Sequence, residues 1–420
     1  MVTEVKYLVL GGGVSGLAFA NFVNSDDYLI LEKESELGGY CRTINQDGFI
    51  WDYAGHFFHF ATEKLKNFFK EKIDDQKLVE RTKVTKIFFD NDLIDFPFQS
   101  NIHQLKKDKF QECLYDLYFR NDKEAYESFL DMLYAKFGKA ITDYFLKPYN
   151  EKLYACDLNT LDVNAMGRFF PYANLDQVIK SFKKQSVESY NSTFLYPKEG
   201  AKIFVDALAE SIPDSKISLN EIVLEINYDE KVAITNKRQI TFDYLVNSSP
   251  LKSFSEKINI EKVNRLADDF SYNKVLVFNL GFDKKSPNED THWLYFPDKD
   301  INFYRVGFYD NILGSSRLSM YVEIGYSPED PVDIDEQLKL TLENLKTVGI
   351  INDHKLVSYC SIIMDPAYVH VSDKSNLSKK EILAILSEKN IYSIGRYGDW
   401  KYCSIEDSML DAINLANEIS

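Results

Sequence analysis

The chain is poor in positive charge: 49 lysines and arginines stand against 65 aspartates and glutamates in 420 residues, a formal charge of −16 at pH 7. Nucleic acids and anionic membranes are bound through basic faces, so this balance argues against both as partners. An anionic ligand would have to be met by a local cluster of arginines. Cysteine is scarce as well. The five residues Cys41, Cys113, Cys156, Cys360 and Cys403 are odd in number and scattered without a C-x-x-C, which points away from a disulfide framework and from a zinc site. His56 and His59 have no third ligand at a suitable spacing, so no metal is assigned. No apolar run approaches the ~18 residues of a spanning helix. The first strand starts too near Met1 to leave room for a signal peptide. The expectation is a cytoplasmic protein without membrane insertion, in which the sequons at Asn191, Asn247 and Asn376 are chance matches. Internal repeats and low-complexity linkers are missing too, and assembly into a homo-oligomer is left open.

What is present begins at once. The apolar run Tyr7-Leu8-Val9-Leu10 leads into Gly11-Gly12-Gly13-Val14-Ser15-Gly16, a G-x-G-x-x-G, and then into the helix-like Leu17 to Val23. Gly11 permits the tight turn, Gly13 lets backbone N–H groups approach a pyrophosphate, and Gly16 lets helix and strand lie close. A second apolar run, Tyr28 to Leu31, ends in Glu32, where a ribose-binding carboxylate belongs. The glycines therefore sit in the strand–turn–helix context that a dinucleotide site requires.

Beyond this unit the pattern is mixed. Thr62 to Ile73 has helical spacing, and Lys86 to Phe98 reads as two strands around a turn at Asp90-Asn91-Asp92. From Asn101 to Ser186 the periodicity is helical. Three strands are expected between Asn220 and Asn247, a strand-rich stretch from Asn273 to Cys360, then the strand Ile391 to Ile394 and a helix from about Glu406 to Ile419.

After the cradle come Leu37-Gly38-Gly39-Tyr40-Cys41-Arg42 and Trp51-Asp52-Tyr53-Ala54-Gly55-His56. This order resembles the flavoprotein superfamily of amine oxidases, protoporphyrinogen oxidases, phytoene desaturases and UDP-galactopyranose mutases. Four further segments resemble the mutases in particular: Asp95-Phe96-Pro97-Phe98-Gln99-Ser100-Asn101, Pro148-Tyr149-Asn150-Glu151-Lys152-Leu153-Tyr154-Ala155, Trp293-Leu294-Tyr295-Phe296-Pro297 with Phe303-Tyr304-Arg305, and Gly395-Arg396-Tyr397-Gly398-Asp399-Trp400-Lys401-Tyr402. Three departures stand out. Ala54 replaces the first glycine of G-G-H, Tyr154 replaces a tryptophan, and the segment after Tyr402 is nearer the bacterial form.

The resemblance implies an α/β fold: a Rossmann-like FAD-binding domain of the glutathione reductase type, with inserted helical and mixed-sheet substrate domains. The expected segments are 1–95, 191–255 and 389–420 for the FAD domain, 96–190 for the helical insertion and 256–388 for the sheet. It also implies FAD, active when reduced, with flavin N5 as the nucleophile that interconverts the pyranose and furanose rings of a UDP-sugar, UDP-galactose first among them. Such chemistry belongs to the biosynthesis of cell-surface polysaccharides. On the same resemblance the cofactor contacts fall to Gly11, Gly13, Ser15, Gly16, Glu32, Lys33, Gly39, Arg42, Gly55, His56, Gly395, Arg396, Asp407 and Ser408.

A nucleoside diphosphate sugar combines an aromatic base, two phosphates and a polyol, and asks for stacking rings, arginine forks and phenols. Arg168 and Arg305 are assigned to the diphosphate, with Tyr295, Tyr368 and Tyr402 as hydroxyl donors. Phe96, Phe98, Gln99 and Tyr154 are assigned to the base, and Asn150 to sugar or phosphate. His56, Arg305 and Arg168 are the catalytic candidates. The alternatives are an amine or porphyrinogen oxidase of the same fold and a binder without catalysis.

Overall fold

The computed structural model describes residues 2–58, 60–183 and 193–420; His59 and the sequon at Asn191 lie outside the described residues. Its organising element is the strand Val2–Leu10. Tyr7, Leu8 and Val9 are all fully buried, the signature of a central parallel strand covered on both faces. It pairs in parallel with Tyr28–Leu31 on one side and with Gln239–Asn247 on the other. Val223–Asn227, Val232–Thr235, Ile217–Ser218 and Ile391–Ser393 complete a seven-stranded sheet drawn from distant parts of the chain. Helices Val14–Phe22 and Ile405–Ile419 pack on one face through Leu17, Phe19, Met409 and Ile413. Glu261–Ala267 and Asp373–Ser387 cover the other through Val263, Ala267, Ile382 and Leu386.

A second seven-stranded sheet runs in the order Leu356–Met364, Lys274–Phe282, Ser319–Tyr326, Arg305–Phe308, Trp293–Tyr295, Thr85–Phe89, Asp92–Asp95. Along Lys274–Phe282 the residues divide by parity. Val275 and Val277 enter the core shared with the helical layer, while Leu276, Phe278, Leu280 and Phe282 enter the core under helix Ile334–Thr347. The helical layer comprises Lys107–Tyr118, Phe129–Ile141, Lys147–Tyr154 and Leu175–Ser181. A wide turn, Thr142–Leu146, joins its second and third helices.

Two expectations need correction. The segment 1–95 expected for the FAD domain ends in a hairpin, Thr85–Phe89 and Asp92–Asp95, that joins the second sheet instead because Thr85–Ile87 pairs in parallel with Trp293–Tyr295. Local pattern reveals a hairpin and says nothing about its partner across about 200 residues of chain. Helix Ile334–Thr347 interrupts the stretch Asn273 to Cys360 that is expected to be strand-rich, and helix Asp373–Ser387 follows it where no element is expected. Asn247, one of the sequons, is fully buried and donates to Ser249 O and Ser393 Oγ. No helix among the described residues is long and apolar enough to cross a membrane.

Candidate functional site

A cavity of about 700 Å³ extends from the first strand's carboxyl end to the edge of the second sheet. At its near end the glycines act as their spacing suggests. Gly11 has φ +102° and donates to Leu31 O at 2.9 Å, and a Cβ on Gly16 would lie 2.0 Å from Gly11 O. Gly13 begins the helix, and a Cβ there would meet nothing nearer than Gly39 Cα at 4.0 Å. Gly13 and Gly39 thus lie close to van der Waals contact, and neither carries a side chain that would hold a phosphate away from the helix terminus. The buried Glu32 carboxylate is aimed by two backbone donors, Gly12 N at 2.8 Å and Glu34 N at 2.9 Å. Ser15, Lys33, Arg42 and Ser408 also line the cavity. Arg42 donates to Glu36 O at 2.9 Å, while its Nε is buried without an acceptor. Gly395, at φ +77°, packs against Ser15, whose Oγ would lie 2.2 Å from an added Cβ. These features fit a dinucleotide held by backbone and helix terminus, with an orphaned donor left for it.

The far end is built from side chains. Tyr295, Arg305 and Glu323 are directly opposite one another on three adjacent strands, so the ten-residue spacing of the first two is the register of a hairpin. The Arg305 guanidinium forks onto Glu323, Nε to Oε2 at 2.8 Å and Nη2 to Oε1 at 2.7 Å, and also donates to the Tyr368 hydroxyl at 3.2 Å. Burial works against this cation most, yet Glu323 together with Tyr368, Tyr321 and Tyr304 raises the Arg305 pKa above the ordinary guanidinium value. Tyr368 and Tyr402 stack with ring centroids 6.0 Å apart, and the Arg396 guanidinium lies 5.3 and 4.7 Å from their centroids. Arg396 donates to Cys403 O at 3.0 Å.

His56 borders the same space. Its Nδ1 lies 3.2 Å from Ala54 O; a carbonyl only accepts, so Nδ1 carries the proton and Nε2 is left as an acceptor. Burial, followed by Arg396 and Arg305, pulls the imidazole down to about 4, which keeps it neutral. Gly55 is required by packing: a Cβ would stand 2.1 Å from the Tyr321 hydroxyl. The strand before it, Phe49–Asp52, is pinned by the fully buried Asp52, which accepts from Thr43 Oγ1, Tyr196 OH and Ala201 N at 2.6, 2.8 and 3.0 Å. Burial pushes that carboxyl up to about 6 against these three donors.

Several assigned residues stand elsewhere. Phe98 is fully buried and stacks on Phe145, and Gln99 donates to Pro171 O. Phe96 contacts Tyr295 edge to face at 5.3 Å. Gln99 Oε1, Asn150 Oδ1 and the Tyr154 hydroxyl are buried without partners, in the layer behind Tyr295 and Tyr368. Arg168 and Asp407, assigned to the diphosphate and to the cofactor, are paired with each other at 2.7 and 2.8 Å in a neighbouring open pocket that shares Tyr402 and Cys403 with the cavity. Asp407 is engaged twice, since it also closes the capping box of helix Ile405–Ile419.

Glu323, Asp52 and Lys83 escaped the sequence reading. The first two carried a signal, a lone carboxylate inside the apolar runs Met320 to Ile324 and Phe49 to Asp52, where a charge must find a partner. Lys83 carried none. It lies against the rings of Phe96 and Trp293, and burial, followed by Arg305, lowers its pKa to about 8.

Residues 14–361 match the sequence family described as flavin containing amine oxidoreductase. Among solved structures, reduced UDP-galactopyranose mutase superposes with a TM-score of 0.93 over 99% of this chain and 93% of that one, at 21% identity. A corticosteroid-binding protein of Candida albicans is 26% identical over 277 residues, 59% of this chain and 52% of its own length. Protoporphyrinogen oxidase 2 of Arabidopsis thaliana is 24% identical over 270 residues, 54% of this chain and 51% of its own. The chain spans about half the length of these curated relatives.

Proposed function

The chain belongs to the flavin containing amine oxidoreductase family and binds FAD in a fold shared with UDP-galactopyranose mutase; from that premise we propose that it interconverts the pyranose and furanose forms of a UDP-sugar, UDP-galactose being the expected substrate. The observation that carries the reading is the chemistry of the cavity's far end. A half-buried guanidinium at Arg305, rimmed by the phenols of Tyr368 and Tyr402, lies beside His56 and in the same cavity as the dinucleotide cradle. Forks and phenols suit a diphosphate and a polyol. The lysines lining the cavity, Lys33 and Lys257, lie near each other at its Glu32 end and away from Arg305.

Gly11 to Gly16, Glu32, Arg42 and Arg396 hold the cofactor in this reading, and Gly55 lets backbone approach it closely. Bound and reduced, FAD supplies the nucleophile that displaces UDP from the anomeric carbon. Arg305, braced by Glu323 and Tyr368, holds the diphosphate before departure and stabilises its charge after it. The Tyr368 and Tyr402 hydroxyls donate to the same oxygens. Neutral His56 presents Nε2 as an acceptor for a hydroxyl. Arg168 reaches the diphosphate by exchanging Asp407 for it, and an exposed pair of this kind is worth about 0–1 kcal/mol, so the exchange is inexpensive.

A second reading, an oxidase, is favoured by the relative named protoporphyrinogen oxidase and by Lys83 beside Trp293. One experiment separates the two. The purified protein is incubated with UDP-galactopyranose with and without dithionite and the ring forms are separated. Interconversion only with reduced flavin, without oxidant consumption, supports the mutase; inertness there with peroxide release from an amine or porphyrinogen sinks it.

A further inference from the structure

Between Tyr295 and Arg305 the chain leaves the second sheet and returns to it, and three carbonyls of this connection turn toward one point. Phe296 O, Asp298 O and Ile301 O accept from Lys152 Nζ at 2.9, 2.7 and 2.8 Å. An ammonium has three N–H donors and here meets three acceptors; a neutral amine offers two, and a planar guanidinium cannot reproduce the arrangement. Burial lowers the Lys152 pKa to about 7 and the charge of Asp298 opposes it.

Lys152 belongs to helix Lys147–Tyr154, which carries Tyr149, Asn150 and Tyr154. The end of that helix is fastened to the second sheet at further points. Asn273 Nδ2 donates to Leu153 O at 2.6 Å, His370 Nε2 meets Tyr154 O at 2.9 Å, and Lys152 O lies where a Cβ on Gly325 would come within 2.2 Å. Those contacts fix the helix against the strands. Lys152 reaches the connection that sets where the hairpin's ends stand through three hydrogen bonds, and Lys299 of that connection adds an exposed pair to Glu151 at 3.1 Å. Across the gap the Tyr149 ring lies 5.1 Å from Tyr295 and 6.2 Å from Tyr304, the neighbour of Arg305.

We infer that Lys152 is a positioning residue: through its carbonyl cage it sets the separation of helix Lys147–Tyr154 from the Tyr295–Arg305 hairpin, and with it the affinity for a nucleotide sugar. The second half of this statement rests on the function proposed above. The cage does not.

The test uses the FAD-loaded protein and two readouts, amide hydrogen exchange over residues 296–304 and calorimetric affinity for UDP. Lys152→Met keeps the stem and removes the donors. It should retain FAD, exchange faster across 296–304 and bind UDP about tenfold more weakly, the scale of one lost charged hydrogen-bonding group. Lys152→Arg should recover little of this. In Lys152→Ala the missing atoms are those of n-propylammonium, which should restore slow exchange and UDP affinity, whereas tetramethylammonium, without N–H groups, should not. Wild-type exchange and affinity in Lys152→Met, or indifference of Lys152→Ala to n-propylammonium, overturns the inference. Should Lys152→Met fail to hold FAD, Lys152→Ala prepared in n-propylammonium decides by the same two readouts. A wild-type protein that does not bind UDP removes the nucleotide-sugar reading and leaves the exchange result to judge the cage.

Discussion

The two ends of the cavity are built by opposite means. At the Gly11–Gly16 end the surface is backbone: a turn with positive φ, a helix terminus and one carboxylate aimed by two N–H groups. At the Arg305 end it is side chain: a guanidinium, a carboxylate and phenols brought from strands and loops far apart in sequence. A backbone site is defined by the space it leaves, so added volume harms it most. A side-chain site is defined by mutual pairing, so removal of one partner harms it most.

The largest expected effect tests the pairing. Arg305→Ala leaves the Glu323 carboxylate, 2% exposed, without its partner, and breaking a buried pair costs about 3–5 kcal/mol. Urea unfolding should show that loss. The Arg305→Met, Glu323→Met double variant should regain most of the stability and none of the UDP affinity. A single variant as stable as wild type would mean that the far end is not organised by pairing at all.

Volume is tested next. Gly16→Ala places a methyl 2.0 Å from Gly11 O and should cost about 1–3 kcal/mol through overpacking, with loss of flavin. Gly13→Ala meets only Gly39 Cα at 4.0 Å, an ordinary van der Waals contact, so the apo fold should be unharmed while the FAD content, read as flavin absorbance per protein, falls. A full complement of FAD in Gly13→Ala would show that the facing glycines do not contact the pyrophosphate.

The third effect is smaller and depends on pH. The imidazole of an unfolded chain titrates near 6.5, whereas folded His56 is held down to about 4. Between those values the unfolded state takes up a proton that the folded state refuses. The contribution of His56 to stability is therefore complete above pH 6.5 and lost as the pH falls toward 4. The melting temperature of His56→Asn should fall less than that of wild type between pH 7 and pH 5. Equal falls would place the titrating group elsewhere.

The smallest effect on stability belongs to Arg168→Ala. Its ion pair with Asp407 is half exposed, so unfolding should change by less than about 1 kcal/mol. UDP should nevertheless bind more weakly and with a shallower salt dependence, while uridine is unaffected. An unchanged affinity for UDP would leave Arg168 as a partner of Asp407 and nothing more.

The sequence by itself determined the near end of the cavity and most of the elements. The glycine spacing, the strand before it, the helix after it and Glu32 lie within 32 consecutive residues, and each constrains only its neighbours. The ten-residue spacing of Tyr295 and Arg305 entered only through the resemblance, and the structure shows it to be the register of a hairpin. Only the tertiary structure decided that the Thr85–Asp95 hairpin joins the second sheet, that Glu323 braces Arg305, that Arg168 rests on Asp407 and that Lys152 closes three carbonyls of a distant connection. Helix and turn signals act over a few residues, where period and φ leave few choices. Strand partners and buried charge pairs are selected by which apolar faces close on one another, and that choice is made among segments from 18 residues apart, as for Arg305 and Glu323, to 239, as for Arg168 and Asp407.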